Sequence, residues 1–206
     1  MAVTTIPTAG IANDAVDNTK LDLASNYAFT GTITGASDVV QVASASGGGA
    51  TTQVFNGCFT STYKFYLIFA TFNMSAESIV SFRYQDSSNN ELSSGLYYNA
   101  GNTANRSSGA TGDGAVGSWG DTQITHGQYI VDGAEPMVQI LVGNPFLSTR
   151  KTTSHLQYYS QDNAGNFRSV TMGTTFDSAS SIAGFRFISS AGNFNSTSTF
   201  KIYGLK

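Results

Sequence analysis

The chain has 206 residues, 40% of them hydrophobic and 12% aromatic, enough for the core of one domain of ordinary size plus an appendage. Only 11% are charged, against roughly 25% in ordinary soluble domains, so the surface must be built mostly from Ser, Thr, Asn, Gln and Gly. A formal net charge of -3 argues against a broad basic footprint for nucleic acid, the single cysteine excludes a disulfide within the chain, and no apolar run approaches the ~20 residues of a membrane helix.

Residues 1–35 differ from the rest and are expected to form an arm outside the main domain. Thr5 to Ile11 look extended, with Pro7 blocking regular pairing. Asp14 to Leu23 could form a short helix with Val16, Lys20 and Leu23 on one face, too short to hold alone. Ile6, Ile11, Val16, Leu21 and Leu23 therefore need a surface to pack on, either their own domain or another subunit. Tyr27 to Gly35 reads as a short strand. No basic stretch followed by an apolar run opens the chain, so no secretory signal is expected.

Residues 36–50 are expected to be a linker or a first hairpin, with strands at Val39 to Val42 and Thr51 to Phe55 around the flexible run Ser44 to Gly49. From residue 51 to 206 the pattern is that of a sandwich. Tyr63 to Phe72 is the most apolar stretch and suits a central strand covered on both faces. Ile79 to Tyr84 alternates as a half-buried strand, and the two are expected to pair as a hairpin. Gly95 to Ala100 is a further strand. Gly101 to Gly120 lacks periodicity and reads as a long loop. Pro136 to Gly143, Thr152 to Ser160, Asn166 to Met172, Ile182 to Ile188 and Thr199 to Lys206 complete the series. Eight to ten short strands, with no amphipathic helix of useful length, predict an all-β, jelly-roll-like antiparallel β-sandwich preceded by the arm.

Chemistry-bearing motifs are sparse. His126 and His155 are the only histidines, and neither shows metal-ligand spacing. Cys58 reads as a small buried hydrophobe. The stretch from Asp162 to Asn166 lacks the spacing and terminal Glu of a calcium loop and reads as a turn, as does Asp113 between its glycines. No cofactor, catalytic group or metal site is expected. Tyr97, Tyr98, Trp119, Tyr158 and Tyr159 could stack on sugars or pack in the core. In the expected loop, Arg106 and Trp119 are the large side chains, so they are the candidate receptor contacts; the competing reading buries Trp119 against its own core or a neighbouring protomer.

The segment GIANDAVDNTKLDLASNYAFTGTITG, with Val16, Thr19, Lys20, Leu21, Tyr27, Phe29, Gly31 and Gly35, resembles the leader of tailed-bacteriophage fibre and virion appendage proteins. The closing IAGFRFISSAGNFNSTSTFKIYGLK, with Gly184, Phe185, Asn193, Phe200, Tyr203, Gly204 and Leu205, is similar to their final hairpin, and YKFYLIFATFNMSAESIVSFRY to their middle. The resemblance implies a structural protein of a phage virion, of the kind found in phages of cyanobacteria or other marine bacteria. It would be a short fibre or decoration protein, anchored by the arm and displaying a sandwich knob. Assembly in the host cytoplasm, a homotrimer, and capsid or tail proteins as partners follow from the same likeness, with neither nucleic acid binding nor membrane insertion. The alternative is a glycan-binding receptor module of a tail fibre; a polysaccharide depolymerase is the third reading.

Overall fold

The computed structural model describes residues 38–107, 110–130, 135–161 and 165–206, with side chains throughout except at 107, 110–113, 116 and 126–130. All described strands belong to the unit Ser37–Lys206. The arm residues Ile6, Ile11, Val16, Leu21 and Leu23 lie outside the described residues, as does the turn expected around Asn163.

Twelve antiparallel strands are formed: β1 Val39–Ser46, β2 Thr52–Phe55, β3 Phe65–Thr71, β4 Ser78–Gln85, β5 Tyr97–Ser107, β6 Ala110–Asp121, β7 Ile124–Ile130, β8 Met137–Gly143, β9 Thr152–Gln161, β10 Phe167–Phe176, β11 Gly184–Ser189 and β12 Thr199–Leu205. They make a wide sheet, β1-β12-β3-β8-β9-β10-β5-β6, and a narrow sheet, β2-β11-β4-β7. With the hairpins β5–β6 and β9–β10 set aside, eight strands remain, ordered β1-β12-β3-β8 and β2-β11-β4-β7. That is the double Greek key of a jelly roll, so the expected sandwich is present. The two hairpins extend one sheet only.

Three expectations about connection are corrected. β3 and β4 do not pair: they lie in opposite sheets. The chain between them crosses the sandwich edge with Phe72 and Met74 buried, and Phe72 sets its ring against Phe187 and Phe200. The strand expected at Val39 to Val42 is present within β1, but it forms no first hairpin with β2: β1 pairs along β12 from Val39↔Leu205 to Ser46↔Thr199. Gly101 to Gly120 is not a loop: β5 and β6 pair from Tyr98↔Trp119 to Ser107↔Ala110. Small residues on both faces of this ribbon hide its alternation. Gly101 is demanded there, since a Cβ would lie 2.1 Å from the Thr171 carbonyl oxygen of β10.

The core is a seam of aromatic rings between the sheets. Phe185 of β11 stacks on Phe55 at 4.9 Å, on Phe82 at 4.9 Å and on Phe59 at 5.5 Å, and meets Phe187 edge-on. Phe200 of β12 reaches across to Phe55 and Phe187. Tyr66, Ile68 and Ala70 face this seam from β3, with Val138, Ile140 and Val142 beside them on β8. Cys58 is buried as expected, though just beyond β2 and not within a strand; burial pushes its thiol up to about 12.

Several buried hydroxyls are satisfied across the seam. Tyr84 donates to Ser154 Oγ at 3.2 Å, and Ser154 bonds Thr174 at 2.5 Å, joining β4 to β9 and β10. The Tyr97 hydroxyl accepts from the Tyr84 amide at 3.0 Å and donates to the Leu92 carbonyl at 2.8 Å. At one end of the sandwich, Ser198 Oγ accepts from the Asn73 amide and donates to its carbonyl, both at 2.9 Å, tying the β3–β4 crossover to the last loop.

Replacing Phe185 by Ala should cost about 3–5 kcal/mol, the range for an aromatic ring lost from a core, read as a lower denaturant midpoint at unchanged slope. Burial also raises the phenols of Tyr84, Tyr97 and Tyr158 above their ordinary value of 10.0. The unfolded chain ionises these groups near pH 10 and the folded chain does not, so their contribution is complete below that pH and is lost above it. Their phenolate absorbance should appear together with loss of the sheet signal, in one transition above pH 10.

Candidate functional site

Strand alternation gives the wide sheet an inner and an outer face, and the narrow sheet covers only the inner one. On β3 the inward residues are Tyr66, Ile68 and Ala70, leaving Phe65, Leu67 and Phe69 pointing out. Cross-strand register carries that apolar character sideways. Phe65 pairs with Leu205 and Gly143, Leu67 with Tyr203 and Leu141, and Phe69 with Lys201 and Gln139. Phe65 is 44% exposed and Leu141 39%, while the rings of Phe69 and Tyr203 meet edge-on at 6.2 Å. The expected second cover for the central strand is absent among the described residues. Charge is sparse on this face: from β12 to β9 the basic side chains are Lys201 and His155, and none is acidic.

The face continues onto the hairpin wing, where a concavity lies at each end, with a further one between them beside Asn102, Ala115 and Thr171. One, of about 570 Å³, sits toward the far end of β5, β9 and β10. It is lined by Tyr159, Phe167, Ser169, Ala104 and Arg106, with Glu135 at its side, and Phe167 is 62% exposed. The other, of about 300 Å³, lies at the opposite end and is lined by Tyr98, Trp119, Thr175 and Asp177.

The two expected contact residues are thus on strands and in different places. Trp119 is 84% exposed, which decides against its burial in the core of this chain. It pairs with Tyr98, and Arg106 lies eight residues further along β5, roughly 27 Å away at ~3.4 Å per residue. They do not form one site. Of the tyrosines, Tyr97 and Tyr158 are buried, Tyr98 is half-buried and Tyr159 is exposed, because each neighbouring pair straddles a strand. Phe167, Thr175 and Asp177 escape sequence reasoning. The buried series Val170, Met172, Phe176 on β10 holds the signal for the first two, since it assigns the odd-numbered positions to the outer face.

Other sequence candidates are placed as follows. His155 is exposed on β9 beside Leu141. His126 lies within β7, and Asp113, expected in a turn, lies within β6. Among the described residues no three His, Cys, Asp or Glu side chains gather to hold a metal ion.

The polar cluster of greatest density lies on the outer side of the narrow sheet. Glu91 is gripped by Arg83 of β4 and Arg186 of β11, one guanidinium on each carboxylate oxygen. Arg83 also donates to Gln123 Oε1 at 2.7 Å and to the Thr122 carbonyl at 3.1 Å. The cluster fastens the segment after β4 back onto its own sheet through charge-assisted hydrogen bonds. Glu91→Gln should leave two arginines facing each other and cost about 1–2 kcal/mol, after allowance for the partial exposure of the carboxylate. Melting curves at low and high salt would check this, with the smaller loss at high salt.

No protein-family model matches the chain, and comparisons with curated proteins and with solved structures likewise find no match.

Proposed function

We propose that the chain is a structural, non-enzymatic protein of a phage particle, a short fibre or decoration protein that assembles with copies of itself and displays its sandwich on the particle surface. One observation carries the assembly part: across β12, β3 and β8 the outer face is dominated by Phe65, Leu67, Phe69, Leu205, Met137 and Leu141, is almost free of charge and is uncovered by any described residue. Three strands at ~4.8 Å spacing and seven residues at ~3.4 Å give a patch of roughly 340 Å². A contiguous apolar patch of that size is in the range of the largest a lone chain exposes, and such patches are often functional. A second copy is the occupant that fits, because a nearly uncharged face can meet another of its kind without like-charge repulsion. A trimer is the state the resemblance implies. The virion setting rests on that resemblance, on the weakly charged Ser/Thr/Asn/Gly-rich surface, and on a fold that needs no disulfide. Capsid or tail proteins are the proposed partners at the arm.

Native mass measurement at micromolar concentration should return an oligomer. Leu67→Lys, which sets an ammonium at the middle of the face, should convert it to a monomer with unchanged far-ultraviolet circular dichroism. A wild-type monomer would overturn the assembly reading. Stoichiometric recovery of the chain in purified particles would test the setting.

A further inference from the structure

The geometry points to a carbohydrate subsite at the base of the β5–β6 ribbon, in which Trp119 and Tyr98 hold a neutral pyranose ring and Asp177 and Thr175 bond its hydroxyls. This goes beyond the assembly reading and does not rest on it, since β6 lies five strands from β3, roughly 24 Å across the sheet.

The aromatic platform is built, not incidental. A register shift separates the pairs Tyr97↔Asp121 and Tyr98↔Trp119, with Gly120 at a φ of +74° inside it. A glycine in the left-handed region at such a step is the signature of a β-bulge, a device that re-aims a neighbouring side chain. Gly95 lies against this turn, where a Cβ would come 2.7 Å from the Gly120 carbonyl oxygen. The Tyr98 ring meets Trp119 at 87° and 5.1 Å, an edge-to-face contact that fixes the indole plane yet leaves most of its surface open.

The polar side of the cup is equally placed. The Asp177 amide donates to the Leu96 carbonyl at 2.8 Å, which holds its backbone beside the start of β5. Its carboxylate Oδ1 pairs with Lys151, and in the proposed subsite its other oxygen takes the sugar hydroxyl. Thr175 pairs with Tyr98 in the ladder and supplies a hydroxyl on the outer face. Because Lys151 already neutralises Asp177, the cup is close to electroneutral. That disfavours a cationic ligand on the indole and an anionic one on the lysine. A ring with an apolar face and a rim of hydroxyls matches indole plus carboxylate plus hydroxyl. The volume of about 300 Å³ lies at the lower end of the range for small-molecule sites and suits one saccharide unit of a longer chain.

Trp119 is the sole tryptophan, so its emission reports on this cup alone. The full chain would be titrated with cellotetraose, chitotetraose and dextran, with glycerol as the control that has hydroxyls but no ring face. At least one saccharide should give a saturable change in emission that glycerol does not. Asp177→Asn should weaken that response about tenfold, the loss expected for a hydrogen bond to a charged group, while the emission of the free protein stays the same. Trp119→Phe, followed by calorimetry, should retain weakened binding to the same sugar, with circular dichroism confirming the fold. No saccharide effect beyond that of glycerol would overturn the proposal. So would emission from the free protein that is already shielded from acrylamide, since another copy would then cover Trp119. The Leu67→Lys measurement tests assembly separately, so either reading can fail without the other.

Discussion

The contact on which the rest of the structure depends is the stack centred on Phe185. Its ring lies against Phe55 and Phe82 in the narrow sheet and against Phe59, which reaches Tyr66 of the wide sheet. Phe187, two residues on, repeats the arrangement with Phe72 and Phe200. Planar rings of one size set one spacing, so the sheets cannot slide without opening voids, and close-packed interiors resist voids. β11 is a central strand of the narrow sheet and contributes both rings, which ties the jelly-roll path to a six-residue segment late in the chain.

The mismatch between the sheets follows from what the two hairpins add. Eight strands lie over four, and both hairpins extend the same sheet. The inner face of the extension is held by Tyr84, Tyr97 and Phe176 and by the Tyr84–Ser154–Thr174 hydroxyl chain, so the wing is rigidly continuous with the core. Its outer face has no such partner. Packing thus separates the molecule into a closed interior and a broad open plane, and the large side chains outside the core concentrate on that plane. Phe65, Leu141, Tyr159, Phe167 and Trp119 all lie there.

Sequence patterning was informative where large apolar residues alternate with others. β3, β4, β8, β11 and β12 are all visible that way, and the sandwich class follows. Pairing was not visible, because sequence neighbours in a jelly roll mostly cross between sheets: β3 and β4 look like a hairpin, yet Phe72 and Met74 carry the chain over the edge. The start of β5 falls in the expected strand Gly95 to Ala100, but the rest of β5 and all of β6 were invisible for a different reason. Their inward residues include Asn99, Gly101 and Thr103, which carry no hydrophobic signal, and the run of glycines reads as a loop. Trp119 shows the limit for the candidate site. A single aromatic residue in a strand looks the same whether it points in or out, and here its direction is fixed by partners on β5 and by the bulge at Gly120. Asp177 enters the cup through the end of β10, more than fifty residues away in sequence, a proximity that no local pattern encodes.

The β5–β6 ribbon begins and ends at one place, with Tyr97 and Asp121 paired at its base, and in sequence it falls wholly between the jelly-roll strands β4 and β7. Its length is therefore decoupled from the path of the eight core strands. Adding or removing residues in matched pairs at the far end, between Ser107 and Ala110, keeps every side chain on its own face, whereas an odd change on one strand would turn the remainder over. β10 pairs with β5 as far as Arg106, so shortening is limited by the need to keep β10 covered, but lengthening meets no such limit. Among descendants of this sequence the ribbon is where indels should accumulate, and in the laboratory it is a natural place to graft a foreign peptide on a stiff stem.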